Sequence, residues 1–371
     1  MVFFDDRYGY IVMKKKLLIF SNSCIGLYLF RRELIDELQK MYEIIIVTPK
    51  DEKQLDFHKI GCKIFSINFD RRGINPLKDL RLFLCFRKVI VQEKPEYVVT
   101  YTIKPNIYGG LICRLRQIPY SANITGLGTA FEKKGVFRTT IVLMYKVALK
   151  KAKAVFFENS ENFKLFQEEN IITNRQGCLL NGAGVNLEWF SLQEYPHNSK
   201  FKFLFIGRVM KEKGVDELFQ AMKRLVAEDE RCCLDILGGF EEDRRGEVEQ
   251  YEKEGWLTYH GFQKDVRPFI RDCDCFVLPS YHEGMANTNL ECASSGRPII
   301  TSNIPGCKEA VVKGSGYLCK PKSADSLYKA MKKMIHTSRE EREQMGIVGR
   351  GHMEKVFDKK RVVQETLNRL N

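Results

Sequence analysis

The sequence predicts an α/β fold made of two Rossmann-like domains that face each other across a cleft. Short apolar runs, typical of buried parallel strands, alternate with amphipathic stretches of helical period along the chain. This alternation stops at the polar, aperiodic stretch 194–199, which contains a proline, and then restarts. At 371 residues and 44% hydrophobic content, the chain can form two cores. We expect one domain at 13–193 and a second at 200–371, with the last helix packed back on the first.

Strands of the first half are each followed by a loop and a helix, which is the order of a parallel sheet. The loop after the first strand ends at Gly26, and the Gly-x-Gly-x-x-Gly pattern of dinucleotide sites is absent there. Because such sheets bind ligands at the carboxyl ends of their strands, Gly26 is a candidate ligand-binding residue. The predicted strands are 16–20, 43–47, 63–67, 97–101, 120–124 and 154–158. The predicted helices are 27–41, 77–93, 108–116, 136–153 and 162–169.

The second half repeats this order after the polar stretch. Gly-containing loops follow its first two strands, at 207–214 and at 238–239. The predicted strands are 201–206, 232–237, 257–260, 275–278 and 298–301. The predicted helices are 216–225, one that begins at 266, one from about 287 to 296, 324–336 and 339–357. Two halves of this kind are the basis for predicting two domains.

Cysteine content and apolar runs indicate where the protein works. Twelve cysteines are scattered, many of them inside apolar runs, which is typical of reduced thiols in a cytoplasmic protein. No apolar run approaches the roughly 20 residues that span a bilayer. The aromatic and acidic stretch 1–12 does not have the pattern of a signal peptide. We expect a cytoplasmic protein whose fold begins near residue 13.

The net charge of +13 is concentrated in the first half, where 71–153 holds 17 Lys and Arg against 4 Asp and Glu. Such a surplus suits lipid headgroups or nucleic acid, although a basic face that only aids solubility has the same composition. Helices 77–93 and 136–153 place basic residues beside apolar ones, as interfacial helices do. We expect peripheral attachment to the inner face of the cell membrane, and no nucleic-acid partner, because no nucleic-acid-binding motif accompanies the charge.

The strongest functional signal is the stretch 278–296, in which an apolar strand leads through a short loop into a helix. Unpaired amides and the helix dipole converge at such a helix N-terminus and suit an anion. Two carboxylates, Glu283 and Glu291, flank the loop, and both can accept hydrogen bonds from sugar hydroxyls. Two solvated glutamates are the structural alternative. The residues whose amides are expected to hold phosphate are Met285, Ala286, Asn287 and Thr288.

A second cluster follows the first strand of the second half. Arg208 and Lys213 lie in the loop 207–214 and can both point into the crevice at the end of the strand. Two cations there suit a diphosphate leaving group, since Arg forms fork-shaped hydrogen bonds and Lys acts as a point charge. A solvated charged turn would explain one such cation more readily than two.

These patterns together resemble glycosyltransferase family 4, whose members have the retaining GT-B fold. The Glu-x7-Glu spacing of Glu283 and Glu291 and the Gly-Arg-x4-Lys-Gly pattern of 207–214 both match it. The similarity is greatest to bacterial enzymes that build capsule, O-antigen or glycan precursors on a polyprenyl diphosphate, among them users of UDP-N-acetylhexosamines. Further stretches that look like this subgroup are 104–109, 125–135, 181–186 and 302–306.

The resemblance implies transfer with retention and without a metal or other cofactor. It implies that Arg208 and Lys213 hold the diphosphate, that Glu283 contacts the donor sugar and that Glu291 binds the ribose. Phe262 would lie near the base, and Gly26 would belong to the donor-binding residues. Arg208, Lys213 and Glu283 are therefore the candidate catalytic residues.

The acceptor side departs from the family pattern. Many members carry a His in the first domain near the reacting carbon, whereas 124–126 is Ile-Thr-Gly here. We therefore expect a front-face displacement, in which the departing phosphate oxygen assists deprotonation of the acceptor hydroxyl and catalysis depends on positioning and charge stabilisation. The candidate acceptor-side residues are Lys104, Asn106, Thr125 and Gly126.

Two other functions remain open from the sequence. A sugar-nucleotide 2-epimerase has a related two-domain fold and also binds UDP in its second domain, but the cation pair and the Glu-x7-Glu spacing favour transfer. A basic nucleic-acid-binding protein is the non-enzymatic alternative. The histidines have no second metal ligand near them in the sequence, so no metal site is predicted.

Overall fold

The computed structural model describes residues 2–4, 11–67, 75–127, 131, 135–228 and 231–370. It consists of two compact units, Met1–Ala183 with Val362–Asn371, and Gly184–Arg361. The expectations that involve Arg71 and the loop residues 128–130 and 132–134 lie outside the described residues. Before the first unit's sheet, β1 (Val2–Phe4) pairs with β2 (Ile11–Met13) in antiparallel orientation. This hairpin precedes the point at which we expected the fold to begin.

The first unit contains a seven-stranded parallel sheet in the order β5-β4-β3-β6-β7-β8-β9. The strand order reverses between β3 and β6, which makes the adjoining loops the switch point of this sheet. Its strands are β3 (Lys15–Phe20), β4 (Tyr42–Thr48), β5 (Lys63–Ser66), β6 (Tyr97–Tyr101), β7 (Tyr120–Ile124), β8 (Ala154–Phe157) and β9 (Gly177–Leu179). Its helices are α1 (Cys24–Gln39), α2 (Lys53–Lys59), α3 (Pro76–Glu93), α4 (Gly110–Arg116), α5 (Val136–Leu149) and α6 (Ser160–Glu168).

Side-chain caps set where several of these helices begin. Ser23 accepts a hydrogen bond from the amide of Gly26, so α1 starts at Cys24, three residues earlier than predicted. Asn75 caps α3 through the amides of Leu77 and Lys78. A π-helical turn, Pro105–Gly109, precedes α4, whereas the sequence predicted one continuous α-helix from 108. Gly26 therefore lies in the first turn of a helix and not in a loop.

Apolar side chains cover both faces of the first sheet. On one face, Phe20 and Val155 pack with residues from α3 and α5, among them Phe86 and Tyr145. The other face packs against α1 and α2, and also against the final helix α13 (Lys359–Leu370), which contributes Val362, Leu367 and Leu370. Residues 362–371 thus belong to the first unit although they end the chain.

The second unit contains a six-stranded parallel sheet in the order β12-β11-β10-β13-β14-β15. Its strands are β10 (Phe201–Ile206), β11 (Cys232–Leu237), β12 (Leu257–Tyr259), β13 (Cys275–Leu278), β14 (Ile299–Ser302) and β15 (Gly316–Cys319). Its helices are α7 (Val215–Ala227), α8 (Arg245–Lys253), α9 (Arg267–Asp272), α10 (Asn287–Ser294), α11 (Ala324–His336) and α12 (Arg339–Val356). Here the order reverses between β10 and β13, which places the loops after these strands side by side.

The predicted linker at 194–199 is wrong, because this segment lies inside the second unit. Tyr195 is 3% exposed and its hydroxyl donates to the carbonyl of Asp274 over 2.7 Å. The buried side chain of Arg297 donates to the carbonyl of Glu194 over 2.6 Å. A polar segment with a proline therefore reads as a linker, but one aromatic anchor and one buried guanidinium attach it to the unit that follows. The units meet in sequence at Ala183–Gly184 instead.

No helix in the described part of the chain is long and apolar enough to cross a membrane.

Candidate active site

Lys213 and Glu283 meet at the switch point of the second sheet. Lys213 ends a short 3-10 turn after β10, and Glu283 lies in the loop after β13. The Lys213 Nζ is 2.5 Å from Glu283 Oε1, and the two side chains are 19% and 12% exposed. The buried Ser280 hydroxyl donates to the same carboxylate oxygen over 2.7 Å. A carboxylate held by an ammonium group and a hydroxyl has a fixed orientation in this partly desolvated setting.

Close backbone packing holds the two loops in register. The amide of Tyr281 donates to the carbonyl of Glu212 over 2.9 Å. Gly214 has φ +74°, and a Cβ there would lie 2.1 Å from the carbonyl oxygen of Pro279. A third segment, at Gly306 with φ +80°, approaches so closely that a Cβ would lie 2.6 Å from the carbonyl oxygen of Gly284. These glycines are required by both conformation and space.

The second predicted cation, Arg208, is paired with a different carboxylate. Its Nη1 lies 3.1 Å from Oε2 of Glu241, in the loop after β11, and the two side chains are about half and one-third exposed. A pair with this exposure contributes little to stability, so a ligand anion can replace Glu241 at low cost. Each candidate diphosphate-binding cation of the second unit therefore has a carboxylate partner.

The N-terminus of α10 offers fewer amides than the sequence predicted. The amide of Ala286 donates to the carbonyl of Gly306 over 2.7 Å, and that of Asn287 to the carbonyl of Met285 over 3.0 Å. Of the four amides expected to hold phosphate, at most those of Met285 and Thr288 remain. The physical reason is the close approach of Gly306, which satisfies the first donor of the helix within the protein.

Glu291 lies one turn into α10 and is half-buried. Burial raises the pKa of its carboxyl to about 7, and the nearby positive charge of Lys359 acts in the opposite direction. No hydrogen bond to this carboxylate comes from the residues that the structure describes. The carboxylate of Glu291 is thus partly buried and still able to accept hydrogen bonds, which suits the binding of two adjacent hydroxyl groups.

The remaining donor-side candidates lie further from this pair in the topology. Phe262 is 58% exposed and follows β12 at the edge of the second sheet, two strands from β10. The nearby His260 follows β12, and its Nε2 is 3.1 Å from Oδ1 of Asp235 in the adjacent strand β11. Gly26 belongs to the first unit, where its amide donates to Ser23 Oγ over 3.1 Å.

The acceptor-side candidates all lie near strand ends of the first unit. Lys104 Nζ is 2.8 Å from Asp79 Oδ1. Asn106 is 1% exposed. Its side-chain Oδ1 accepts a hydrogen bond from Thr100 Oγ1 over 2.7 Å, and its Nδ2 donates to the carbonyl of Asn123 over 2.9 Å. Its side chain therefore ties β6 to β7 within the unit. Thr125 and Gly126, the latter with φ +146°, follow β7 directly.

Sequence reasoning missed two residues of this site. Ser280 orients Glu283, and Glu241 pairs with Arg208. Ser280 could have been noticed, because it lies three residues before Glu283 in the same loop. Glu241 could not, since its contact depends on β11 lying beside β10.

Two family models match the chain, one on each half. Residues 16–159 match a model described as glycosyl transferase 4-like, and residues 189–352 match one described as glycosyl transferases group 1. The two matched stretches correspond closely to the two sheets of the structure.

The chain is similar in sequence to three named bacterial glycosyltransferases. It is 27% identical over 326 residues, 83% of this chain and 86% of the relative, to N,N'-diacetylbacillosaminyl-diphospho-undecaprenol alpha-1,3-N-acetylgalactosaminyltransferase from Campylobacter jejuni. The capsular polysaccharide biosynthesis glycosyltransferase CapM of Staphylococcus aureus is 25% identical, with 90% and 91% of the two chains covered. The Escherichia coli UDP-Gal:alpha-D-GlcNAc-diphosphoundecaprenol alpha-1,3-galactosyltransferase is 24% identical over 79% and 80%.

Solved structures share the fold at lower sequence identity. Sucrose-phosphate synthase from Thermosynechococcus elongatus superimposes with a TM-score of 0.77 at 18% identity, covering 96% of this chain and 98% of that one. Anabaena HepE in complex with UDP and glucose gives a TM-score of 0.78 at 14% identity, with 96% and 99% covered. A glycosyltransferase model matches each half of the chain, and each half contains a parallel sheet of the GT-B fold. The chain therefore belongs to glycosyltransferase family 4, the two-domain enzymes of that fold.

Proposed function

We propose that this enzyme transfers a hexose or N-acetylhexosamine from a UDP-linked donor to a lipid-linked saccharide, with retention, in bacterial surface polysaccharide synthesis. The observation that carries the donor half is the contact between Lys213 and Glu283 at the switch point of the second unit. Such a transfer needs a cation for the leaving group beside a carboxylate for the sugar, and the distance of 2.5 Å between Lys213 Nζ and Glu283 Oε1 supports these roles.

On the donor, Lys213 and Arg208 bind the diphosphate and stabilise the charge that develops as the glycosidic bond breaks. Glu283 then accepts hydrogen bonds from hydroxyls of the sugar, and Ser280 keeps its carboxylate in place. Glu291 accepts hydrogen bonds from the ribose. Phe262 is exposed and free to stack on the base.

The chemical step we propose is a front-face displacement. The acceptor hydroxyl attacks the anomeric carbon from the side on which UDP departs, and a phosphate oxygen of UDP takes the hydroxyl proton as the new bond forms. Arg208 and Lys213 supply the positive charge that a metal ion would otherwise provide, so transfer is expected to proceed in excess chelator.

The acceptor half of the proposal is supported by the names of the relatives. The Campylobacter and Escherichia coli enzymes are both named for acceptors linked through a diphosphate to undecaprenol. Each is matched over about four-fifths or more of both chains, so the similarity extends through the first unit as well as the donor-binding second unit. In this proposal Lys104, Thr125 and Gly126 line the acceptor side.

A lipid-linked acceptor requires the protein to reach the membrane, and the first unit has a surface suited to it. On α3, Leu77, Leu80 and Leu84 are 73%, 56% and 49% exposed, although Leu82 and Phe86 of the same helix are buried. On α5, Val136 and Leu143 are 86% and 61% exposed. Both helices bury their opposite sides in the same core, so both cover the same face of the sheet.

Exposed basic residues accompany these apolar side chains. They are Lys78, Arg81, Arg87 and Lys88 on α3 and Lys150 and Lys151 after α5. Apolar side chains flanked by Lys and Arg are the composition of a helix that lies in the headgroup plane of an anionic bilayer. We therefore propose peripheral attachment through this surface to the inner face of the cell membrane.

The decisive experiment is a donor and acceptor screen. UDP- and GDP-linked hexoses and N-acetylhexosamines are each incubated with the protein and undecaprenyl diphosphate bearing N-acetylglucosamine or N,N'-diacetylbacillosamine, with and without EDTA. Extension of a lipid-linked saccharide, with the donor's anomeric configuration retained, is expected. Epimerisation of a donor without transfer to any acceptor would assign the chain to the 2-epimerases instead.

A further inference from the structure

Thr102 has an unusual backbone conformation at the end of β6. It follows Tyr101 directly and has φ +74°. The left-handed region is rare for any residue other than glycine, and for a β-branched one it is a genuine outlier. Its carbonyl accepts the amide of Asn106 over 2.9 Å, at the start of the π-helical turn 105–109. Single π-helical turns often occur at functional sites.

The side chain of Thr102 has a second unfavourable feature. Its hydroxyl oxygen is buried and has no hydrogen-bond partner among the residues that the structure describes. A buried polar atom left without a partner is costly. A glycine at position 102 would remove both the backbone strain and the unsatisfied hydroxyl. The threonine is therefore disfavoured at this position on two independent grounds, its backbone conformation and its unpartnered hydroxyl, which indicates a functional reason for its side chain.

The position of Thr102 within the sheet indicates which ligand this is. It lies in the loop after β6, next to the end of β3, which is where the strand order of the first sheet reverses. Ligands of open α/β sheets bind at this point. In the second unit the corresponding loops, after β10 and β13, hold the candidate donor pair Lys213 and Glu283. Because the donor candidates lie at the switch point of the second unit, we assign the switch point of the first unit to the other substrate, the acceptor.

We infer that Thr102 is a specificity-determining residue for the acceptor, and that its hydroxyl hydrogen-bonds an oxygen of the lipid-linked saccharide or of its diphosphate. The inference rests on the proposed function above. Thr102 as a whole is only half-buried. A rotation of about 120° around χ1 moves the hydroxyl into another staggered position, so the oxygen can turn toward a ligand without a change of the backbone.

The test compares Thr102→Val, which keeps the β-branched shape and removes the hydroxyl, with Thr102→Ser, which keeps the hydroxyl. Transfer to undecaprenyl diphosphate bearing N-acetylglucosamine or N,N'-diacetylbacillosamine is measured beside two acceptor-independent quantities, the affinity for UDP and the slow hydrolysis of the donor. Thr102→Val is expected to lower kcat/KM for the acceptor about tenfold, the usual effect of one lost hydrogen bond. Thr102→Ser is expected to stay within about twofold of the wild type. Neither variant changes UDP affinity or donor hydrolysis.

Thermal unfolding of Thr102→Gly supplies an independent readout. This variant relieves the strain and removes the hydroxyl, so it is expected to have a higher Tm than the wild type and a transfer defect at least as large as that of Thr102→Val. Undiminished transfer by Thr102→Val overturns the inference, as does an equal loss of UDP binding, which would indicate a structural defect. Transfer to the two acceptors, and its inhibition by undecaprenyl diphosphate that carries no sugar, are also compared between Thr102→Val and the wild type. A contact to the sugar alters the preference between the acceptors, whereas a contact to the diphosphate weakens the inhibition. A wild-type enzyme that transfers to neither acceptor refutes the proposed function, and this inference with it.

Discussion

The Nζ of Lys213 lies 2.5 Å from Oε1 of Glu283, although 70 residues separate them in the chain. The two belong to loops after adjacent strands β10 and β13, and each has a separate role toward the donor in the proposed function. The two charges neutralise one another, so neither is left alone in a partly buried site. In the proposed function, donor binding replaces this contact with two others, from Lys213 to the diphosphate and from Glu283 to the sugar.

Removing Lys213 is expected to abolish most of the activity. Lys213→Ala leaves the developing charge of the leaving group without a cation and should lower kcat about 10²–10³-fold. Arg208→Ala should lower kcat to a similar extent. It should hardly change the stability of the protein, because the ion pair that it removes, with Glu241, is exposed. Steady-state transfer assays and thermal unfolding measure the two quantities.

Lys211→Ala is the matched control, because Lys211 lies in the same short turn and its side chain is exposed. It should leave transfer unchanged. Wild-type turnover in both Lys213→Ala and Arg208→Ala would falsify the donor-site assignment.

Glu291 is expected to make UDP binding depend on pH. Its pKa of about 7 means that about half of the molecules carry a neutral Glu291 at that pH, and the ionised form is the stronger hydrogen-bond acceptor. UDP affinity, measured by calorimetry, should therefore rise between pH 6 and pH 8 in the wild type. In Glu291→Gln it should be weaker at pH 8 and almost independent of pH. Identical profiles for the two proteins would count against a contact between Glu291 and the ribose.

The same shift predicts an effect on stability. The folded-state pKa is higher than the ordinary glutamate value of 4.5, so the folded protein binds more protons between these two pH values. The contribution of Glu291 is fully present below pH 4.5 and is lost as the pH rises through about 7. Glu291→Gln cannot ionise. Compared with the wild type, this variant should therefore be relatively more stable at pH 8 than at pH 5, seen as a larger free energy of unfolding in chemical denaturation.

Gly306 is expected to be essential for the position of the loop that carries Glu283. In Gly306→Ala the new Cβ would lie 2.6 Å from the carbonyl oxygen of Gly284, at φ +80°. The loop 283–284 must then move, so UDP-sugar binding and transfer should both fall in addition to a loss of stability.

Gly314→Ala controls for the backbone strain alone. Gly314 has φ +87°, but nothing lies within 4 Å of a Cβ there. Both variants should lose about 1–2 kcal/mol from the left-handed conformation, whereas only Gly306→Ala should lose activity. Equal activity of the two variants would show that the contact with Gly284 is unimportant.

The alternation of strands and helices could be predicted from the sequence because both sheets are parallel and buried on both faces. Elements that bury little were missed: α2 buries only Phe57, and α8 only Val248 and Tyr251, so neither shows an apolar period. The domain boundary was placed too late because the burial of Tyr195 cannot be inferred from its polar neighbours. The two loops of the site follow from their positions after strands. The sequence does not show which side chains of these loops meet. That Lys213, and not Arg208, contacts Glu283 depends on the order of the strands and on the reach of each side chain.

The final prediction concerns the proposed membrane surface of the first unit, which consists of the exposed apolar and basic residues of α3, α5 and the two lysines that follow α5. Each basic residue near an anionic bilayer contributes roughly 1 kcal/mol, and the attraction decays within a Debye length of about 8 Å at physiological salt. Exposed Leu77, Leu80 and Val136 add apolar contacts that can enter the headgroup region. Sedimentation should therefore show binding to vesicles with anionic lipid that weakens as salt rises.

A matched pair of charge variants separates this surface from the overall charge. The first variant changes Arg81, Arg87, Lys88, Lys150 and Lys151 to Glu, and the second changes Lys253, Lys264, Lys313, Lys320 and Lys333 of the second unit to Glu. Both lower the formal net charge from +13 to +3, since each of five substitutions removes two charges. Only the first variant should lose vesicle binding, because net charge alone does not place cations next to exposed leucines. Equal losses in both variants would mean that binding is non-specific, and equal wild-type binding to neutral and anionic vesicles would exclude an electrostatic contribution from this surface.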